Sequence, residues 1–223
     1  MWSSYFYNPH RMQSNKNNVI VLSSPFLILL VNFIVAFIFG KIIGKWAFIP
    51  IILIEWCLFM FFVLKFGGVS SIKTWLQKSS GSVGWSVLAV LMGVITLPLF
   101  LMHYELLAGW QIWLPWILLA LINPWIEEFY WRGLLMDYTS GWSGWQSILF
   151  TSSVFALNHT VFGVNSEVNS GFTIVISTFI MGLVWGLVFK KAGSLRWVIF
   201  AHFLVDFFSL SVPSFLDLFK VGG

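Results

Sequence analysis

Trp125-Ile126-Glu127-Glu128-Phe129-Tyr130-Trp131-Arg132 sets three ionisable groups within six residues, inside a long apolar segment. Burying one such charge in a bilayer costs at least ~2.5–3.5 kcal/mol, so a chain places charges there only with partners or a task. On a helix, Glu128 and Arg132 are i,i+4 neighbours in the favourable order, acid before base. Glu127 points about 100° away and has no partner on that helix. The stretch therefore predicts a buried helix with one carboxylate in an ion pair and the other left available.

The surrounding composition says what such a helix is buried in. Of 223 residues, 59% are hydrophobic and 9% charged, with mean hydropathy +0.89. A soluble domain carries roughly a quarter charged residues. The expected fold is all-α, a polytopic transmembrane helical bundle of about seven spans in contact with the lipid bilayer. The pI near 9.3 comes from a few loop lysines with no basic face or run, so no nucleic-acid partner is expected. A single cysteine, Cys57, excludes an internal disulfide and a thiolate metal cluster.

Outward from the motif, four regions follow. Residues 1–18 are polar, Asn/Ser-rich and read as a flexible tail. Residues 19–111 hold N-terminal spans at 19–39, 46–64 and 83–102, with a polar insert at 65–82. Ile72, Trp75 and Leu76 among the lysines of that insert suggest a short interfacial helix. Glu55, inside the second span, reads as a protonated acid facing another helix or the lipid edge. Residues 112–210 form the core of the molecule, with spans at 111–137, 141–159, 172–189 and 195–210. Pro124 removes a backbone donor three residues before Glu127 and predicts a bend there. Residues 211–223 form a C-terminal tail too short and polar to span; an eighth span would move the C-terminus inside without altering the rest.

Lysine and arginine placement orients the bundle. Seven spans with the N-terminus inside put Arg11, Lys16, Lys65, Lys73, Lys78, Arg132, Lys190, Lys191 and Arg196 on the cytoplasmic side, against Lys41, Lys45 and Lys220 outside. The expectation is a plasma-membrane protein with a cytoplasmic N-terminus.

Two more polar constellations lie downstream. Phe155 and His159 are one turn apart at the end of the fifth span, and His202 and Asp206 share a face of the seventh. At ~1.5 Å rise per residue, Glu127 lies about 15 Å from the cytoplasmic end of its helix, and His202 and Asp206 lie about 9 and 15 Å above Arg196. His159, at about 22 Å, needs a tilted or re-entrant segment to join them.

Glu-Glu-x-x-x-Arg at 127–132, Phe-x-x-x-His at 155–159 and His-x-x-x-Asp at 202–206, in that order on successive helices, resemble the CPBP intramembrane proteases. That family includes the type II CAAX-prenyl endopeptidases and bacterial Abi or bacteriocin-immunity relatives. The likeness covers roughly residues 112–210. It implies an intramembrane protease acting on a membrane-associated peptide or protein, with Glu127, His159, His202 and Asp206 as catalytic residues. Glu128 and Arg132 fall in the same motif, and Phe155 supports it. The last position is Asp206, where the prenyl-protein endopeptidases carry Asn; the departure leaves open both a prenylated substrate and an amide on the oxyanion.

The residues alone support the same chemistry in two forms. Peptide hydrolysis needs an activated water, a polarised carbonyl and a proton for the leaving amine. Glu127 as base with His159 sharing the water supplies the first, and His202 with Asp206 the second. In this form no cofactor is needed, while Glu128–Arg132 is structural. The rival form holds zinc on Glu127, His159 and His202 with one open position. The HExxH spacing of zincins is absent, which favours the metal-independent form. Two other classes stay open: a non-catalytic immunity or scaffold protein, and a transporter or proton relay that would enlist Glu55.

Overall fold

The computed structural model describes residues 15–107, 109–166 and 171–209, and every regular element among them is helical. The expected tail 211–223 and most of the expected tail 1–18 lie outside the described residues. Asn15–Asn18 already belong to the first helix, α1 (Asn15–Ile43). Gly44, with φ of 57°, ends it in a conformation that L side chains resist. One 3₁₀ turn leads into α2 (Phe48–Phe62), which accepts Pro50 because it lies in the first turn. A π-turn at Val63–Gly67 and Gly68, again at positive φ, redirect the chain into α3 (Gly68–Trp75).

The third expected span is divided into α4 (Val83–Val94) and α5 (Leu97–His103), with Pro98 in the first turn after the break. The motif helix runs on without interruption as α6 (Trp110–Glu128), a π-turn at Phe129–Leu134, and α7 (Leu135–Tyr138). α8 (Gly144–His159) starts from a capping box of Ser143 and Gln146. α9 (Phe172–Ala192) ends at Gly193 in the left-handed region, and α10 (Arg196–Phe208) closes the described chain.

Four stretches are long and apolar enough to cross a membrane: Lys16–Trp75, Val83–Leu107, Gly144–Val164 and Phe172–Ala192. The first contains two of the expected spans, so the four stretches hold five of the seven. The other two fall on α6–α7 and α10. Tryptophans, prolines, Asn123 and two acids dilute the hydropathy of α6, and α10 is only 13 residues long. These are the helices that carry most of the ionisable residues singled out above.

α10 packs against α4 and α6, α8 against α9 and α1, and α2 against α6. Small residues permit the closest approaches. A Cβ on Gly182 would meet Ser152 at 2.9 Å, and one on Gly93 would meet the Ala201 carbonyl oxygen at 2.6 Å. Large apolar side chains of α1 and α2, among them Leu27, Leu30, Phe37 and Leu53, face outward, as a lipid-facing surface requires. The interior is aromatic, centred on Phe59, Tyr130, Trp131, Phe155 and Trp185.

The insert at 65–82 forms the short helix expected of it and packs that helix onto the protein. Trp75 turns inward, fully buried, and its Nε1 donates to Asp137 at 3.1 Å. Its ring fills the space beside Gly133, where a Cβ would lie 2.6 Å away. The Leu195 amide donates to the Trp75 carbonyl, and Arg196 Nε donates to the Leu76 carbonyl. Backbone bonds thus decide what Trp75 does: they clamp the insert to the α9–α10 junction.

The α4–α10 contact is the tightest of these and the easiest to test. Gly93→Ala forces a methyl against a backbone carbonyl and is expected to destabilise by about 1–3 kcal/mol, read as a lower melting temperature in detergent. Gly84→Ala, whose nearest new neighbour is 3.7 Å away, should melt no lower than wild type.

Candidate active site

The end of α6 is where the chain concentrates its irregularities. Pro124 leaves the carbonyl one turn earlier without its helical donor, and the π-turn begins directly after Glu128. Such turns reorient the side chains that follow and recur at functional sites. Across the turn Glu128 and Arg132 still meet: Arg132 Nη1 donates to Glu128 Oε1 at 2.7 Å, with both side chains buried.

That same oxygen takes a second partner. His202 Nδ1, on α10, lies 2.8 Å from Glu128 Oε1, so the carboxylate joins a guanidinium and an imidazole from different helices. With Nδ1 donating to Glu128, Nε2 is the nitrogen that faces Asp206 Oδ1, at 3.7 Å. Aromatic rings enclose this group. Arg132 lies over the Phe155 ring at 4.2 Å and over Trp185 at 5.5 Å, and Trp185 stacks on His202 at 4.8 Å. Nothing in the sequence singled out Trp185 from the other tryptophans.

Phe155 is central to the arrangement. Its ring centroid is 4.5 Å from that of His159 and 6.3 Å from that of His202. The His159 Nδ1 lies 2.9 Å from the Phe155 carbonyl, which only accepts, so Nδ1 carries a proton, and in the neutral ring Nε2 keeps its lone pair. Despite the depth arithmetic, His159 does reach the neighbourhood of Glu127 and His202, whose charges act on it.

Glu127 is only 4% exposed, and its Oε2 is buried with no hydrogen-bond partner among the described residues. Its charge acts on Glu55, His159, His202 and Asp206. Glu55 is therefore no lipid-edge residue. It is 2% exposed, points inward from α2, and accepts a hydrogen bond from Asn158 Nδ2, the neighbour of His159. Asn123, one turn before Glu127, makes a further link. Its Nδ2 donates to Asp206 Oδ2 at 3.0 Å, and its Oδ1 accepts from Trp56 Nε1 at 2.7 Å.

Side chains of α2, α6, α8, α9 and α10 thus converge in one buried cluster of acids, histidines and amides. It contains an unpartnered carboxylate oxygen and an imidazole with a free lone pair, the two parts that proton abstraction from water requires. Zinc on Glu127, His159 and His202 requires these three to close on one point at ~2.0–2.2 Å. Among the described residues no three His, Cys, Asp or Glu side chains are grouped to hold an ion. His202 is turned toward Glu128 and Asp206.

A helical membrane protein with acids and histidines from separate helices meeting in its interior is the class that fold and cluster define. Within that class, residues 108–208, just under half of the chain, match the family model "Type II CAAX prenyl endopeptidase Rce1-like", a model of the CPBP family. The match includes every residue of the three motifs, and the family it points to is one of peptidases. No curated protein and no solved structure matches it.

Glu128 is the partner whose loss exposes most. Glu128→Ala leaves Arg132 without its carboxylate and frees His202 Nδ1; uncompensated buried charges cost ~3–5 kcal/mol. The expected result is a sharp drop in folded yield and in detergent melting temperature. A variant as stable as wild type would show that this carboxylate does not hold the guanidinium in place.

Proposed function

We propose that the chain is an intramembrane endopeptidase that hydrolyses a peptide bond of a membrane-associated protein or peptide, with water activated by Glu127 and His159. One observation carries the reading: Glu127 is buried and makes no side-chain hydrogen bond among the described residues, while Glu128 through Oε1 and Asp206 through Oδ2 are each bonded to side chains of other helices.

In the proposed reaction, water lies between Glu127 and the free Nε2 of His159. Glu127 takes a proton as the water oxygen bonds to the scissile carbonyl carbon, and the carbonyl electron pair moves onto oxygen. His202 and Asp206 line the side where that oxygen develops. Collapse of the tetrahedral intermediate breaks the C–N bond, and the proton held by Glu127 passes to the leaving nitrogen. The products are a carboxylic acid and an amine, which ionise to carboxylate and ammonium by transfer of the remaining water proton, and Glu127 ends in its starting state. Glu128 and Arg132 touch no reacting atom; they fix the turn that aims Glu127 and the ring of His202.

The proposed setting is a seven-span bundle in the plasma membrane with the N-terminus in the cytoplasm. The length of Lys16–Trp75, enough for two crossings about the Gly44 turn, supports that count. A prenylated C-terminal substrate is the class that the family description suggests. Asp206 in the third motif makes it a question for assay.

The test uses purified protein in detergent with two internally quenched peptides. One ends in a farnesylated Cys-aliphatic-aliphatic-X sequence; the other is its unprenylated counterpart. Glu127→Gln is expected to insert and accumulate normally but to lose about 10²–10⁴-fold in turnover. Turnover equal to wild type would sink the assignment of the base.

Metal dependence is tested separately. Elemental analysis is expected to find no stoichiometric zinc, and turnover is expected to survive a strong chelator. One zinc per chain with chelator-sensitive turnover would replace the water-activation mechanism with a metal-assisted one.

A further inference from the structure

A tetrahedral oxyanion is held by N–H donors aimed at it, and this cluster keeps most of its donors fully enclosed. Glu55, Glu127 and Glu128 offer oxygen, and so does Asp206, which stands where the sequence likeness has an amide. Arg132 has its Nη1 on Glu128 and its guanidinium face against the Phe155 ring; its Nη2 has no partner but is fully enclosed, as are the indole Nε1 atoms of Trp131 and Trp185. The amide of Asn158 is fully buried and donates to Glu55.

Asn123 is different in two respects. It lies one helical turn before Glu127 and therefore on the same face of α6, and it is only half-buried. Its orientation is also fixed by chemistry. The indole Nε1 of Trp56 only donates, so the atom 2.7 Å from it must be the amide oxygen. The nitrogen must then face Asp206, which it meets at 3.0 Å. That bond uses one of the two amide hydrogens, and the other remains.

Resting on the peptidase reading above, we propose that the carboxamide of Asn123 is a catalytic residue: its second N–H receives the carbonyl oxygen of the scissile peptide bond. Asp206, across the α6–α10 contact, positions the donor. The pair is an exchange of roles, with the amide on α6 and the carboxylate on α10. Asp206 polarises the amide it accepts from, and Trp56 prevents the amide from flipping. The site keeps the chemistry of an amide–imidazole pair although residue 206 is an acid.

Asn123→Ala, assayed on the two quenched peptides, is expected to lower kcat about 100-fold, as removal of one oxyanion donor does. KM should change little, and so should the melting temperature. Asn123→Asp is expected to be equally inactive, because it sets two acids face to face with no amide between them. Adding Asp206→Asn to Asn123→Asp restores one amide and one acid, keeps the bond from Trp56, and should recover most of the turnover. If Asn123→Ala does not fold, the exchanged pair decides: a folded but inactive exchange variant overturns the proposal. Wild-type kcat in folded Asn123→Ala, with Glu127→Gln inactive, overturns this proposal and leaves the base assignment standing. Glu127→Gln as active as wild type removes the base and this inference with it.

Discussion

One carboxylate oxygen, Oε1 of Glu128, carries both the guanidinium of Arg132 and the imidazole of His202. In a membrane interior this is a demanding place for three ionisable groups, and their mutual attraction has to offset the loss of solvent. Aromatic rings share that task, since Phe155 and Trp185 lie against the guanidinium and Trp185 stacks on the imidazole. The consequence is geometric. Glu128 ties α6 to α10, while Phe155 brings α8 to the same point. Remove that oxygen and the two histidines lose the element that sets their separation.

The π-turn after Glu128 belongs to the same constraint. A regular helix would continue from Pro124 past Arg132 with an unbroken ladder. The wider turn instead lets Phe129 through Leu134 bury on all sides, with Tyr130 bonded to Ser24 on α1 and Trp131 packed on Phe59 and Phe155. α6 is thereby fixed on several faces, and Glu127 can be left without a local partner because its backbone does not depend on it. The same logic places Trp75 beside Gly133, where a larger residue would push the insert away.

What the sequence disclosed follows from what local spacing can encode. The Glu128–Arg132 pair was legible because both residues lie on one helix at i,i+4. The helices were legible from hydropathy, with errors of a few residues where prolines and glycines set the ends, as at Gly44 and Pro98. Contacts between helices were not. His202 meets Glu128 across 74 positions, Asp206 meets Asn123 across 83, and Asn158 meets Glu55 across 103. Each depends on the rotational phase of two helices, which periodicity fixes poorly when a helix is apolar on every face. Glu55 was visible as an intramembrane acid, yet only the packing of α2 shows that it faces inward. Trp185 left no trace among so many tryptophans.

The distribution of satisfied and unsatisfied groups is the last step. Buried polar atoms in folded proteins are nearly always paired, and exceptions mark places kept for another purpose. In this cluster Asp206 has Asn123, Glu55 has Asn158, and Glu128 has two partners, all from other helices or the next turn. The partners come from positions that also pack the bundle, so the same bonds that give stability hold these acids away from reaction. Glu127 has none of them among the described residues, although its charge acts on Glu55, His159 and Asp206. A carboxylate oxygen in that position gains from any donor that enters. Water is the smallest donor available, and His159 presents a lone pair that can hold it from the other side. The bundle gives side-chain partners to Glu55, Glu128 and Asp206, and in the proposed reaction it is the unmet demand of Glu127 that draws the nucleophile in.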